Sequence, residues 1–202
     1  NTPLTSGSNL SDLVTFTDFS DTLTVASSAE ETKKSNMDVW MEIIVKKGAR
    51  FRCYLTPNGD SYVDATGEGN LTFRMPPQGE MSMTGRITID EGKMNYELPV
   101  IPLRTFNFAG GSSIDFTGNV MNPTLNITAT ERVKTIVTED DRQRAVTFDA
   151  GVKISRTVED MGLEFIIDAP EDLEIKNQLT AMSKEERGKA AVALLATGMY
   201  IT

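Results

Sequence analysis

The chain has 202 residues, of which 39% are apolar and 7% aromatic, and its formal net charge is −9. This charge argues against nucleic acid and against anionic lipid surfaces as partners, because both are bound through clustered Lys and Arg. Histidine is absent and there is one cysteine, which removes the commonest general base and leaves no disulfide or zinc cluster. The longest apolar run, 190–196, is too short to cross a bilayer, so we expect any membrane anchor outside these residues.

Residues 1–36 are rich in Ser and Thr, with scattered apolar residues between them. This composition predicts a connecting segment that is only partly ordered. From Met37 onward the pattern changes, and apolar and polar residues alternate over about 130 residues. A second unit, the sheet domain proper, is therefore expected over 37–170.

The alternation predicts strands with one apolar and one polar face. It is clearest over 38–46, 51–56, 81–90, 125–137 and 146–155. Strands of this kind are usually antiparallel, and the chain shows no strand-helix-strand alternation that would favour a parallel sheet.

Turn signals separate these runs and predict a meander. The strongest is Asn58-Gly59, which is typical of a tight hairpin. The other predicted turns are Lys47-Gly48, Glu91-Gly92, Ala109-Gly110-Gly111, Asn122-Pro123 and the charged tip 139–141.

A helix is predicted only at the end of the chain. Ser183 and Glu186 have the spacing of a capping box, and an Ala- and Leu-rich stretch follows them. We interpret 171–202 as a linker and one C-terminal helix of the same domain.

No catalytic constellation is apparent in the sequence. The serines have no histidine to activate them, and 139–141 is best explained as a solvated turn. Gly110 to Ser113 is better explained as a turn than as a phosphate cradle, because no helix start follows it. We expect no enzyme activity and no cofactor or metal.

The continuous apolar face is the informative feature. Each large aliphatic side chain left in water forgoes about 1.5–3 kcal/mol, so the face must be covered. A second sheet, the same sheet folded over, a partner and a lipid are all possible covers. Periodicity alone favours a closed sandwich.

Three stretches resemble the C-terminal domain of the TamB family (translocation and assembly module), within the AsmA-like group. The first is a predicted strand-turn-strand from Gly85 to Tyr96, and the second runs from Phe106 through the Gly110-Gly111 turn to Ala129. The third runs from Leu163 to Pro170 and is followed by the capped helix. Their order matches, and the resemblance extends from about Met37 to the end, about four-fifths of the chain, whereas 1–36 has no clear counterpart.

The resemblance implies an all-β fold: an elongated, meandering antiparallel sheet curled into a trough (a β-taco) with an apolar interior, plus one C-terminal α-helix. It implies a periplasmic location in a Gram-negative bacterium, as part of a protein anchored in the inner membrane. It also implies roles in phospholipid transport and in outer-membrane assembly with a barrel partner of the TamA/BamA type.

The leading hypothesis from the sequence is a passive conduit, in which phospholipid acyl chains lie along the apolar face between inner and outer membrane. The residues expected to line this groove are Val39, Met41, Ile43, Phe51, Leu55, Met81, Met83, Ile87, Ile89, Phe106, Phe108, Phe116, Leu125 and Ile127. The first alternative is an assembly module that docks on the barrel partner by strand addition, for protein insertion or secretion. The second is a closed β-sandwich with a structural or adhesive role and no elongated groove.

Overall fold

The computed structural model describes residues 14–16, 37–54, 58–98 and 100–201. Over these residues the chain forms nine strands and two helices. The strands are β1 (Val14–Phe16), β2 (Val39–Tyr54), β3 (Tyr62–Met75), β4 (Ser82–Leu98), β5 (Ile101–Phe108), β6 (Ser113–Asn119), β7 (Thr124–Glu139), β8 (Arg142–Arg156) and β9 (Met161–Asp168). The helices are α1 (Leu173–Ala181) and α2 (Lys184–Thr197).

All nine described strands belong to one curved antiparallel sheet. Its order is β1-β2-β3-β4-β5-β7-β8-β9, and β6 also lies between β4 and β7. The predicted antiparallel meander is therefore confirmed. The two-sheet sandwich favoured by periodicity alone is not formed, because hydrogen-bonded pairing continues without a break from β1 to β9.

Strands β5 and β6 lie end to end in the sheet, and both occupy the position between β4 and β7. Both run antiparallel to β4, β5 against its second half and β6 against its first half. Between them the chain loops out at Gly110-Gly111 and then returns to the same position in the sheet. This predicted turn therefore separates two strands without reversing the chain. The buried hydroxyl of Ser112 replaces a backbone partner there, because it accepts a hydrogen bond from the Thr128 amide of β7 at 3.1 Å.

Two of the predicted turns are wrong. Lys47-Gly48 lies inside β2 and Glu91-Gly92 lies inside β4, where the register with β3 shifts instead of the chain reversing. Gly48 lies in the first β-bulge, where residues 46–48 of β2 oppose Glu68 of β3, and its φ is 87°. The second bulge is at Asp90, which has no partner on β3, and Gly92 follows it as the partner of Ala65. The stretch from Gly85 to Tyr96 is accordingly one bent strand and not a strand-turn-strand.

The remaining turn predictions are confirmed. Asn58 and Gly59 lie in the β2–β3 connection, and Asn122-Pro123 lies between β6 and β7. Glu139 pairs with Arg142, so Asp140-Asp141 forms a two-residue hairpin turn in which both φ angles are positive. The charged tip is thus a solvated turn, as its composition predicted.

Alternate residues of the strands form a single hydrophobic core on one face of the sheet, called here the interior face. Its most completely buried large side chains include Ile89, Met94, Phe106, Phe148 and Val152. The helices add Ile175, Leu179, Ala190, Ala191, Leu194 and Leu195 to the same core.

The C-terminus holds two helices where the sequence predicted one. Helix α2 is confirmed, with the Ser183 side chain accepting the Glu186 amide at 3.1 Å and Gly198 in a left-handed conformation at its end. Helix α1 lies in the predicted linker, so that part of the prediction is wrong. It has only nine residues and two buried positions, Ile175 and Leu179, which is too short a pattern to identify a helix from periodicity.

Gly151 gives a direct test of this packing. A Cβ at this position would clash with the backbone carbonyl of Ala129 on the adjacent strand β7, so we expect Gly151→Ala to destabilise the fold by about 3 kcal/mol. Gly110→Ala is the matched control, because its Cβ would meet open space, and we expect a change within about 0.5 kcal/mol. Chemical denaturation of both variants measures the difference, and equal midpoints would contradict the close approach of β7 and β8.

Candidate functional site

Strand register brings the predicted groove residues together on the interior face. Met41 is opposite Phe73, and Phe73 is opposite Met83, so three neighbouring strands contribute to one row. The next row contains Ile43 and Phe116, on β2 and β6. Residues far apart in sequence thus form one apolar surface.

Thirteen of the fourteen predicted residues belong to the hydrophobic core cluster or pack against it. The buried ones are Phe51, Met83, Ile87, Ile89, Phe106, Phe108, Leu125 and Ile127. The half-buried ones are Val39, Met41, Ile43, Met81 and Phe116. Leu55 lies outside the described residues.

The half-buried residues cluster at one end of the sheet, where β2 begins, β3 ends and β6 ends; this is called the open end. Ile114 on β6 and Met161 on β9 are half-buried there too, and Leu163 on β9 is 40% exposed. Strand β3 remains buried even at this end, as Phe73 shows. The apolar lining is thus partly accessible on β2, β6 and β9 and well packed between β2 and β4.

Sequence reasoning missed the contribution of β3 and β9 to this surface. Leu71, Phe73 and Met75 are buried interior residues of β3 and belong to the same core cluster. The alternation in β3 was present but interrupted by Gly67 and Gly69, where β4 approaches so closely that its backbone leaves no room for a side chain. A search for alternation that counted glycine as compatible with a buried position would have found this strand.

The outer face of the sheet is polar and carries ion pairs between neighbouring strands. Arg86 binds Asp115 at 2.6 Å and Arg132 binds Asp149 at 3.1 Å. Asp64 accepts hydrogen bonds from Arg50 and Arg52, and these hold the pKa of its carboxyl below the usual value although burial opposes the shift. The interior face therefore offers an apolar ligand a suitable surface, and the charged outer face does not.

Several large apolar side chains depart from this polar pattern, among them Trp40 and Ile44 on β2 and Ile136 on β7. Trp40 and Ile44 project from the outer face of β2 and are 61% and 62% exposed. Trp40 stacks under the guanidinium of Arg74, 4.4 Å from the ring centroid, and this contact fixes the ring in place.

The opposite end of the interior face, called the closed end, is covered by the helices. Helix α2 contacts β5, β8 and β9, and Tyr200 stacks on Phe148 with ring centroids 4.8 Å apart. Burial raises the pKa of Tyr200, and the nearby Glu139 carboxylate adds to the shift. The tyrosine hydroxyl donates a hydrogen bond to the Gln178 side chain of α1 at 2.9 Å, so the segment that follows α2 is bonded to α1.

A charged cluster fastens α1 to the tip of the β7–β8 hairpin. Arg144 binds Asp172 at 3.0 Å, Glu174 at 3.2 Å and Glu139 at 3.6 Å. Asp172 is also the N-cap of α1, where it accepts the amide of Ile175 at 3.0 Å. The hydrogen bond from the Ile175 amide lowers the pKa of Asp172 the most, and the hydrogen bond from Arg144 lowers it further.

A small apolar notch lies where α2 meets β9. It has a volume of about 450 Å³ and is lined by Phe165, Glu185, Gly188, Lys189, Val192 and Ala193. Gly188 packs against Phe165 here, and a Cβ at Gly188 would make an ordinary van der Waals contact, 3.7 Å from the carbonyl oxygen of Phe165. The notch extends the accessible apolar surface of β9 onto the helix.

The site offers surface and no reactive group. Within the described residues, no three or more His, Cys, Asp or Glu side chains are grouped so as to hold a metal ion. In the part of the chain that the structure describes, no helix combines the length and the apolar character needed to cross a membrane. The fold and site define a class of protein: a curved β-sheet that presents an apolar inner surface and a charged outer one.

The match to a known family is specific. The family model of the TamB C-terminal domain matches residues 2–199, so the chain belongs to the TamB family. No curated protein and no solved structure matches the chain. Family membership supports a role in the cell envelope, in a family that is not known for enzymes and that works with outer-membrane partners.

The charged cluster predicts a dependence of stability on pH. Because the folded state lowers the pKa of Asp172, its carboxylate stabilises the fold fully above the ordinary value of about 3.9, and this contribution is lost as pH falls through the folded value. We expect wild-type thermal stability to fall more steeply from about pH 4 to pH 2 than that of Asp172→Asn, which retains a capping oxygen. Asp141→Asn at the hairpin tip is the control, and the same slope for Asp172→Asn and wild type would contradict the assignment.

Proposed function

We propose that this domain is a non-enzymatic conduit that holds phospholipid acyl chains on the interior face and conducts them between inner and outer membrane. The observation that carries the proposal is the continuity of the apolar surface from the partly exposed residues of the open end to the buried core. A chain entering at Met41 meets the apolar side chains of Phe73 on β3 and Met83 on β4, which lie in the same row. The location proposed for this activity is the periplasm, within an inner-membrane-anchored protein.

Physical chemistry supports this use of the surface. Each methylene removed from water contributes about 0.8 kcal/mol, so even partial burial of an acyl chain is favourable. Methionine side chains at Met41, Met81 and Met83 suit ligands of variable shape, because the thioether is flexible and polarisable. Headgroups stay at the accessible side of the trough, and no bond is made or broken.

Adjacent isoleucines on β2 provide a matched test. Ile43 is half-buried on the interior face, whereas Ile44 is 62% exposed on the outer face. We expect Ile43→Glu to reduce bound phospholipid about tenfold, because a charge in the lining costs well over 1.4 kcal/mol. Ile44→Glu makes the same chemical change on the other face and should leave lipid binding unchanged.

The measurement is native mass spectrometry of detergent-free protein purified from a bacterial host, followed by extraction of bound lipid. Met83→Glu tests the neighbouring row from β4, with Thr84→Glu on the outer face as its control. Equal lipid content in Ile43→Glu and Ile44→Glu would count against the trough. Circular dichroism of each pair ensures that a loss of lipid is not a loss of fold.

The second candidate is a module that docks on an outer-membrane barrel partner for protein assembly. The exposed Trp40 and Ile44 favour it, because apolar side chains on an otherwise charged face of an edge region are typical of an interaction surface. Ile44→Glu separates the two functions, since it should weaken partner binding and leave lipid content intact. Deleting 183–202 cannot serve this purpose, because α2 supplies four buried residues to the core.

A further inference from the structure

An ion pair lies on the interior face among apolar side chains. Arg104 on β5 and Glu131 on β7 are bonded at 2.9 Å, and each side chain is 28% exposed. Arg104 is two residues from Phe106 and Glu131 two residues from Ala129, and both of these neighbours are fully buried. Because alternate residues of a strand share a face, the pair points inward and not toward the polar outer surface.

The geometry of this pair differs from that of the outer-face pairs. Arg86 and Arg132 each bind an aspartate through both Nε and Nη2, the two-pronged arrangement that matches a carboxylate or phosphate. Arg104 instead uses Nη1 alone, which donates to both oxygens of Glu131 at 2.9 and 3.1 Å. Its Nε is buried and has no hydrogen-bond partner among the described residues.

The pair therefore has donor capacity that Glu131 does not use. A buried donor of a charged group is costly to leave without an acceptor. Because Nε is buried, an oxyanion reaches it only when the guanidinium turns toward the trough, and Nε and Nη2 then bind the anion in the geometry that the outer-face arginines adopt. Such an anion would compete with Glu131 for the guanidinium. The displaced carboxylate would then need a cation of its own, since an isolated charge in apolar surroundings is unfavourable.

We propose that Arg104 and Glu131 bind the zwitterionic headgroup of an amphiphile, with its phosphate on the guanidinium and its ammonium on the carboxylate. A zwitterion exchanges one ion pair for two and keeps the site neutral, whereas a purely anionic head leaves Glu131 uncompensated. This inference rests on the proposed lipid-binding function and names the headgroup class that the trough prefers.

The position of the pair suits an attached acyl chain. Half the thickness of a bilayer's hydrocarbon core is about 15 Å, which corresponds to roughly four or five residues of extended strand. On β7 this distance leads from Glu131 past Ala129 to Ile127, both of which are interior residues. The headgroup would lie at the partly exposed pair, and the chain would lie along the lining toward the open end.

Three single-chain lipids with the same acyl group test the proposal: a lysophosphatidylethanolamine, a lysophosphatidylglycerol and an uncharged monoacylglycerol. Titration calorimetry with the 202-residue chain, below the micelle concentration of each lipid, compares their affinities. We expect wild-type protein to prefer the zwitterion about tenfold over the other two. Arg104→Gln and Glu131→Gln should each abolish this preference while monoacylglycerol binding persists.

Arg132→Gln is the matched control for Arg104→Gln, because Arg132 follows Glu131 on the same strand and pairs with Asp149 on the outer face. It should retain the wild-type preference. Monoacylglycerol binding by each variant also shows that the trough is folded. The double variant Arg104→Gln/Glu131→Gln is neutral at the site, so it avoids the lone buried charge that each single variant leaves.

The outcomes separate this inference from the function on which it rests. Equal affinity for the three lipids, or an unchanged preference in Arg104→Gln, overturns the headgroup site and leaves the trough standing. Failure of the wild-type chain to bind any of the lipids overturns both. Soluble phosphoethanolamine is the remaining probe: weaker binding than the lipid supports a headgroup site within the trough, and equally tight binding overturns it.

Discussion

The arrangement of this domain depends on one constraint, which is that the apolar faces of its strands must leave water together. A single alternating strand has nowhere to bury its apolar side. Antiparallel pairing places these sides in register, so that residues such as Met41, Phe73 and Met83 become neighbours although they are distant in sequence. The curvature of the sheet then brings the rows into one core, to which α1 and α2 add their buried residues.

Keeping one face apolar over strands of 14 to 17 residues requires local irregularities. In β2, the bulge at Gly48 inserts residues between Val45 and Ala49 and returns the strand to the same parity. In β4, the bulge at Asp90 moves the buried positions from odd to even, from Ile89 to Met94. The bulges thus preserve the interior face where a regular pleat would have turned its polar residues inward.

The two ends of the interior face differ in how completely their apolar side chains are covered. At the closed end, Tyr200 and the charged cluster around Arg144 hold the helices against the sheet. At the open end, Met41 and Phe116 are only half-buried, so apolar surface is available to a ligand. The Arg104–Glu131 pair lies on the same face, and it adds a polar position to the apolar lining.

The sequence by itself determined the strand class, the antiparallel meander, the capped helix and which parity of most strands is apolar, because these follow from local periodicity and turn chemistry. It also identified thirteen described residues that pack in or against one core, and their role as a lining for lipid stays a prediction. It did not reveal helix α1 or the contribution of β3, since two buried positions in α1 and glycines in β3 leave weak local patterns. Only the tertiary structure decided that Gly48 and Asp90 lie in bulges and that neither Lys47-Gly48 nor Glu91-Gly92 is a turn, because a bulge is defined by the partner strand. The pairing of Arg104 with Glu131 was likewise decided by register, which joins residues 27 positions apart through a lane of the sheet that no local pattern specifies.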